Sequence, residues 1–139
     1  MHRLLSSLMV LALLTGSALA APPMIGGQRD AHGCLAPAGY TWSELRHTCL
    51  RLFEDGIRLD PVRPRGSAVI SAFVLFEHGG DSSHAELFVP SSKGSVLLVT
   101  RQMPGGPAKW QGGGYGLARV NGVLELSRGG KLLYRQAAR

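Results

Sequence analysis

Cys34 and Cys49 are the only thiols in this chain, and what they can do depends on the compartment they meet. In an oxidising one they close a loop of about 15 residues, a staple of roughly 3 kcal/mol in the chain-entropy view. A second group with chemical potential is Trp110-Gln111-Gly112-Gly113-Gly114-Tyr115. Three glycines let a ligand approach the backbone closely, and the flanking aromatics can stack on a sugar or peptide. The competing reading, which the sequence favours, has Trp110 and Tyr115 capping the end of a barrel. The glycines fit no phosphate cradle, because no strand–loop–helix unit surrounds them. His78, Asp81 and His84 form a third group, beside Ser82 and Ser83. Their spacing is not that of a zinc site, and no cysteine is spare. No nucleophile elbow accompanies the serines. No metal and no cofactor are therefore expected. Arg51 and Arg58 are a fourth candidate, a surface for an acidic partner.

The start of the chain points to the oxidising compartment. His2 and Arg3 precede a mostly apolar stretch from Leu4 to Leu14, and Ala18-Leu19-Ala20 is a cleavage site of the A-x-A kind. Residues 1–20 therefore read as a signal peptide, and the apolar run is too short for a bilayer span of about 20 residues. Removing 20 of 139 residues leaves 119, enough for one modest core. Arg3 leaves with the signal, so the net charge falls from +6 to +5. A basic exported protein is attracted to anionic envelope polymers or lipid headgroups. No run of Lys or Arg occurs, and nucleic acid is not an expected partner.

These groups must be positioned by a mainly β fold: an antiparallel meander or small β-barrel behind a disulfide-stapled segment with a short helix. Residues 21–30, with Pro22, Pro23, Gly26 and Gly27, read as a flexible leader. Residues 31–60 form the stapled segment, and Pro61 to Gly66 punctuates the chain. Residues 67–139 form the meander, with 31–139 one folded unit. Its expected strands are Val69–Phe76, Ala85–Val89, Ser95–Arg101, Ala108–Gln111, Tyr115–Val120, Val123–Ser127 and Lys131–Gln136. Asn121-Gly122 suits a two-residue type I′ hairpin. It sets Val120 opposite Val123 and Leu117 opposite Leu126, so Leu117, Leu124 and Leu126 share a core face. Val69–Phe76 is apolar almost throughout, so both faces of that strand should be covered, one by the stapled segment. Within that segment, Thr41-Trp42-Ser43-Glu44 has capping-box spacing, which predicts a short helix carrying Leu45 and Cys49 on one face. Asp55-Gly56 predicts a hairpin turn before Ile57–Leu59. Tyr40 and Trp42 are read as packing over the disulfide, with a binding surface the alternative.

The stapled segment resembles a motif of small exported bacterial proteins of undefined role. The matching residues are Asp30-x-His32-Gly33-Cys34, Ala38-Gly39-Tyr40-x-Trp42-Ser43 and Cys49-Leu50-Arg51-x-Phe53-Glu54-x-Gly56-Ile57-Arg58-Leu59. The resemblance implies secretion and a disulfide, and no activity. The C-terminal half is similar to the barrels of bacterial periplasmic lysozyme inhibitors, through its strand series, Ala85-Glu86-Leu87 and Gly130-Lys131-Leu132-Leu133-Tyr134. Those inhibitors present a Ser-Gly-x-Gly-x-x-Tyr loop. Here the corresponding stretch is Gln111-Gly112-Gly113-Gly114-Tyr115, with no matching serine. A basic inhibitor would also repel a basic lysozyme.

The expected protein is a non-enzymatic, periplasmic or secreted binding module of the bacterial cell envelope. Its partner would be an envelope protein or glycan, with no stable membrane span. The alternatives are an inhibitor of a cell-wall hydrolase such as lysozyme, and a hydrolase using His78, Asp81 and His84.

Overall fold

The computed structural model describes residues 26–77, 82–101 and 104–137. The signal peptide, the first half of the leader, His78 and Asp81 lie outside the described residues. Among the described residues a 3-10 turn, Ala36–Ala38, precedes ten strands and one α-helical turn: β1 Tyr40–Ser43, β2 Thr48–Arg51, α1 Leu52–Asp55, β3 Ile57–Pro61, β4 Ala72–Phe76, β5 His84–Phe88, β6 Ser95–Thr100, β7 Lys109–Gly112, β8 Tyr115–Val120, β9 Val123–Arg128 and β10 Lys131–Gln136. β1 and β2 form a separate hairpin. β3 to β10 are consecutive antiparallel neighbours, and β10 returns to pair with β3, so eight strands close into a barrel. Closure leaves no unpaired strand edge in the sheet.

Tight turns drive this meander. The residue pairs Gly113-Gly114, Asn121-Gly122 and Gly129-Gly130 all have positive φ at both positions. That backbone matches the right-handed twist of the flanking strands, as type I′ hairpins require. The Asn121-Gly122 register is the expected one, with Val120 opposite Val123 and Leu117 opposite Leu126.

Alternate residues then fill the barrel. Leu59, Val74, Leu87, Leu98, Trp110, Leu117, Leu124 and Leu126 are all at most 1% exposed and belong to one cluster. Charged residues such as Arg58, Asp60, Glu125 and Arg135 occupy the outward positions between them. An apolar inside and a charged outside reverse the pattern of a lipid-embedded barrel. The barrel strands are four to six residues long, against about 9–11 for a membrane-crossing strand. Among the described residues no helix is long and apolar enough to cross a membrane.

The stapled segment departs from expectation in three places. The capping-box residues lie in β1 and its turn, not in a helix. Aromatic and β-branched Tyr40, Thr41 and Trp42 favour a strand, and His47 closes the turn at φ 50°. The amides that a helix start would leave open are taken by a residue from the barrel: Glu86 Oε1 accepts from Glu44 N at 2.9 Å and Glu86 Oε2 from Leu45 N at 3.3 Å. Asp55-Gly56 is not a hairpin turn either. Leu52–Asp55 makes one helical turn, closed by Gly56 N donating to Leu52 O at 2.9 Å, and Gly56 keeps an extended backbone at φ −96°. Ile57 then pairs with β4, so the segment supplies the first barrel strand and does not end before the barrel. Val69 and Ile70 precede β4 and are exposed.

The disulfide forms, with Cα atoms 5.5 Å apart and Cys34 buried. Around it, His32 stacks on Trp42 at 4.6 Å between ring centres, and the Arg51 guanidinium lies over Tyr40. This small lobe sits on the outer face of β5. Glu86 is fully buried there, and its carboxylate also accepts from the Ser43 and Ser95 hydroxyls. Leu75, directly opposite Glu86 on β4, is buried on the same face, so β4 is covered on both sides. Arg46 adds a clamp, donating to Phe76 O at 2.7 and 3.0 Å.

Removing the Glu86 carboxylate strands four donors at a buried junction. Glu86→Ala should cost more than about 2 kcal/mol in chemical denaturation. It should also speed hydrogen exchange at the Glu44 and Leu45 amides, while Leu117 and Leu126 stay protected. Unchanged exchange at Glu44 and Leu45 would show that the lobe is held some other way.

Candidate functional site

Four connections meet at one end of the barrel: those between β3 and β4, β5 and β6, β7 and β8, and β9 and β10. They frame an open cleft of about 680 Å³. Its floor includes Tyr115 and Tyr134, and its rim carries Arg63, Arg65, Arg128 and Lys131. Among the described residues, no Asp or Glu lines it. Barrel closure creates this cluster. β10 lies beside β3, and Val62 N donates to Leu133 O at 2.9 Å, which ties the start of the arginine-bearing loop to β10.

Three arginines of the lobe and the barrel sides are paired with acids. Arg51 meets Glu54 at 3.0 Å, Arg58 meets Asp60 at 2.7 Å, and Arg135 meets Glu125 at 2.8 Å. Among the described residues, Arg63, Arg65 and Lys131 have no carboxylate within ion-pair distance. Arg128 is held by an aromatic instead. Its guanidinium lies 4.8 Å from the Tyr115 ring centre, and Nη1 donates to Tyr115 Oη at 3.3 Å. That contact orients the planar fork without neutralising it, which suits bidentate binding of phosphate or carboxylate.

Burial of its aromatics agrees with the barrel-cap reading of the glycine loop rather than the contact reading. Trp110 is 1% exposed, tilts against Phe76 at 5.0 Å, and donates from Nε1 to Ser82 O at 2.7 Å. It is a core residue. The glycines serve packing. A Cβ on Gly112 would lie 2.1 Å from Leu97 O, and one on Gly113 would lie 2.6 Å from Val96 Cγ1. Gly114 completes the two-residue turn with φ +79°. Such a short turn does not project a loop of the inhibitor kind. Tyr115 is 7% exposed, inside the barrel, and only there does it border the cleft.

Arg51 and Arg58 do not form an open cationic surface. The hydrogen bond from Arg51 to Glu54 raises the Arg51 pKa above its ordinary value, with the nearby Tyr40 adding to it. Asp60 accepts from the Ser71 hydroxyl at 2.7 Å, which holds its pKa below the ordinary carboxylate range, and Arg58 lowers it further. Both arginines are engaged within their own neighbourhood.

The histidine group is also resolved in part. His84 is half exposed, and its Nδ1 lies 3.0 Å from Ser83 Oγ and 3.8 Å from Glu77 Oε2. A serine–histidine–acid relay needs the serine and the acid on opposite ring nitrogens. Here both approach one. Among the described residues no group of three His, Cys, Asp or Glu side chains is placed to hold a metal ion.

No known family, curated protein or solved structure matches the chain.

The Arg58–Asp60–Ser71 contact has a measurable signature. The lowered carboxyl pKa means that Asp60 favours the fold above the ordinary carboxylate range, and that this contribution fades as pH falls through its folded-state pKa. Ser71→Ala should move the Asp60 pKa up toward about 3.9, read by carboxyl-carbon NMR titration. An Asp60 titration identical in both proteins would contradict the assigned cause.

Proposed function

We propose that this chain is a non-enzymatic, exported binding module that takes an anionic component of the bacterial cell envelope at the barrel mouth. One observation carries the reading. Among the described residues none of the four rim cations has an acidic partner, whereas Arg51, Arg58 and Arg135 are each paired. Like charges gathered at one end repel one another, and an anion seated among them relieves that repulsion. The barrel interior is filled by the Trp110 cluster, so a ligand would lie in the mouth rather than within the barrel. The disulfide supports residence in an oxidising compartment.

Tripolyphosphate is a suitable compact polyanionic probe. Calorimetric titration at low salt should show binding that weakens steeply as salt rises. The double variant Arg63→Glu/Arg65→Glu should weaken it by about tenfold or more, because it reverses two rim charges. Lys109→Glu, on an outward position of β7, is the control and should bind nearly as the parent does. Equal losses in both variants would mean that net charge, not the mouth, attracts the anion. Circular dichroism on the same samples separates binding loss from unfolding.

A further inference from the structure

We propose that the barrel mouth is a peripheral docking face for an anionic lipid bilayer, with the loop between β3 and β4 entering the headgroup layer. This rests on the anion-binding reading and names its partner. The observation is a coincidence of two surfaces. Val62, Val69 and Ile70, all in that loop, are 42%, 53% and 61% exposed. Arg63 and Arg65 lie between them in sequence, and Arg128 and Lys131 stand on the neighbouring hairpin of β9 and β10.

Exposed apolar side chains occur elsewhere, as at Leu97 and Val99 near Arg101 and Lys109, but not beside a cleft carrying four cations. Leu97 and Val99 lie on β6, and Val120 and Val123 flank the turn at the opposite end of the barrel. Phe53 lies near the paired Arg51. At the mouth, exposed apolar side chains share a loop with Arg63 and Arg65, two of the four cations that line the cleft. Ile70 also lines the cleft.

The two features together choose the occupant. A dissolved polyanion rewards the four cations and gains nothing from Val62 or Val69. A bilayer surface rewards both, since apolar side chains sink into the headgroup boundary while cations meet the lipid charges. Each Lys or Arg near an anionic surface raises partitioning by about fivefold. Pro61 and Pro64, beside the arginines, restrict the backbone that presents them. The loop runs between two strands of a closed barrel, so docking would need no unfolding of the sheet.

The test uses the mature protein, phosphatidylcholine vesicles, and the same vesicles containing phosphatidylglycerol, with tripolyphosphate as the soluble anion. Co-sedimentation should occur with the anionic vesicles and not with phosphatidylcholine alone. Val62→Ser/Val69→Ser keeps every charge and changes no side chain that lines the cleft. It should lower vesicle partitioning by about tenfold while leaving tripolyphosphate affinity unchanged. Arg63→Gln/Arg65→Gln should weaken both. If the parent binds tripolyphosphate but not anionic vesicles, or if the serine variant sediments as the parent does, bilayer docking is overturned and the anion site stands. If the parent takes neither vesicles nor tripolyphosphate, the anion-binding reading fails and docking fails with it.

Discussion

The Glu86 carboxylate receives hydrogen bonds from Ser43, Glu44, Leu45 and Ser95, and this buried junction fixes how the stapled lobe meets the barrel. A buried carboxylate is costly unless its acceptor sites are filled. Ser43 and the turn after β1 supply three of the four donors, and Ser95 on β6 supplies the fourth. The lobe is therefore held in one orientation, although the disulfide ties it only to itself. Its seat buries Leu75 and closes the outer face of β4 and β5. What remains for binding is set by that choice.

The barrel interior is the second constraint. Eight strands make a barrel just wide enough for its own side chains. Here Phe76, Trp110 and the surrounding leucines fill it. Recognition is then left to the ends and the uncovered sides. On the sides, Asp60 pairs with Arg58 and Glu125 with Arg135. At the mouth, topology gathers cations from two adjacent hairpins and, among the described residues, brings no acid with them. Four of the chain's cations are thus gathered at one end, which gives its charge a direction.

Much of the barrel was legible because its signals are local. Asn121-Gly122 set its hairpin register, and short apolar alternation with glycine turns marked the later strands. The export-plus-two-cysteines argument found the staple. The helix from Thr41 misread a local pattern that a distant partner overrides: the open amides of that turn are satisfied by Glu86, more than 40 positions away. Glu86 itself was visible only as an acid within an apolar strand. The glycine loop left two readings open for a related reason. Glycines that admit a ligand and glycines that admit a neighbouring strand look alike in sequence, and Gly112 and Gly113 serve the latter. The mouth was not legible at all. Arg63 and Arg65 sit in an apparent linker, Arg128 and Lys131 flank a Gly-Gly turn, and only closure of β10 on β3 makes them neighbours.

The central claim, that open charge at the barrel mouth is the binding site, is tested most directly by mapping amide shifts on isotope-labelled protein as tripolyphosphate is added. The account predicts saturable shifts in the β3–β4 loop around Arg63 and Arg65, at Tyr115, and from Arg128 to Lys131. The lobe around Arg51 and the Glu86 junction should stay still. Shifts centred on Arg51 and Arg58, or spread evenly over every surface cation, would contradict it.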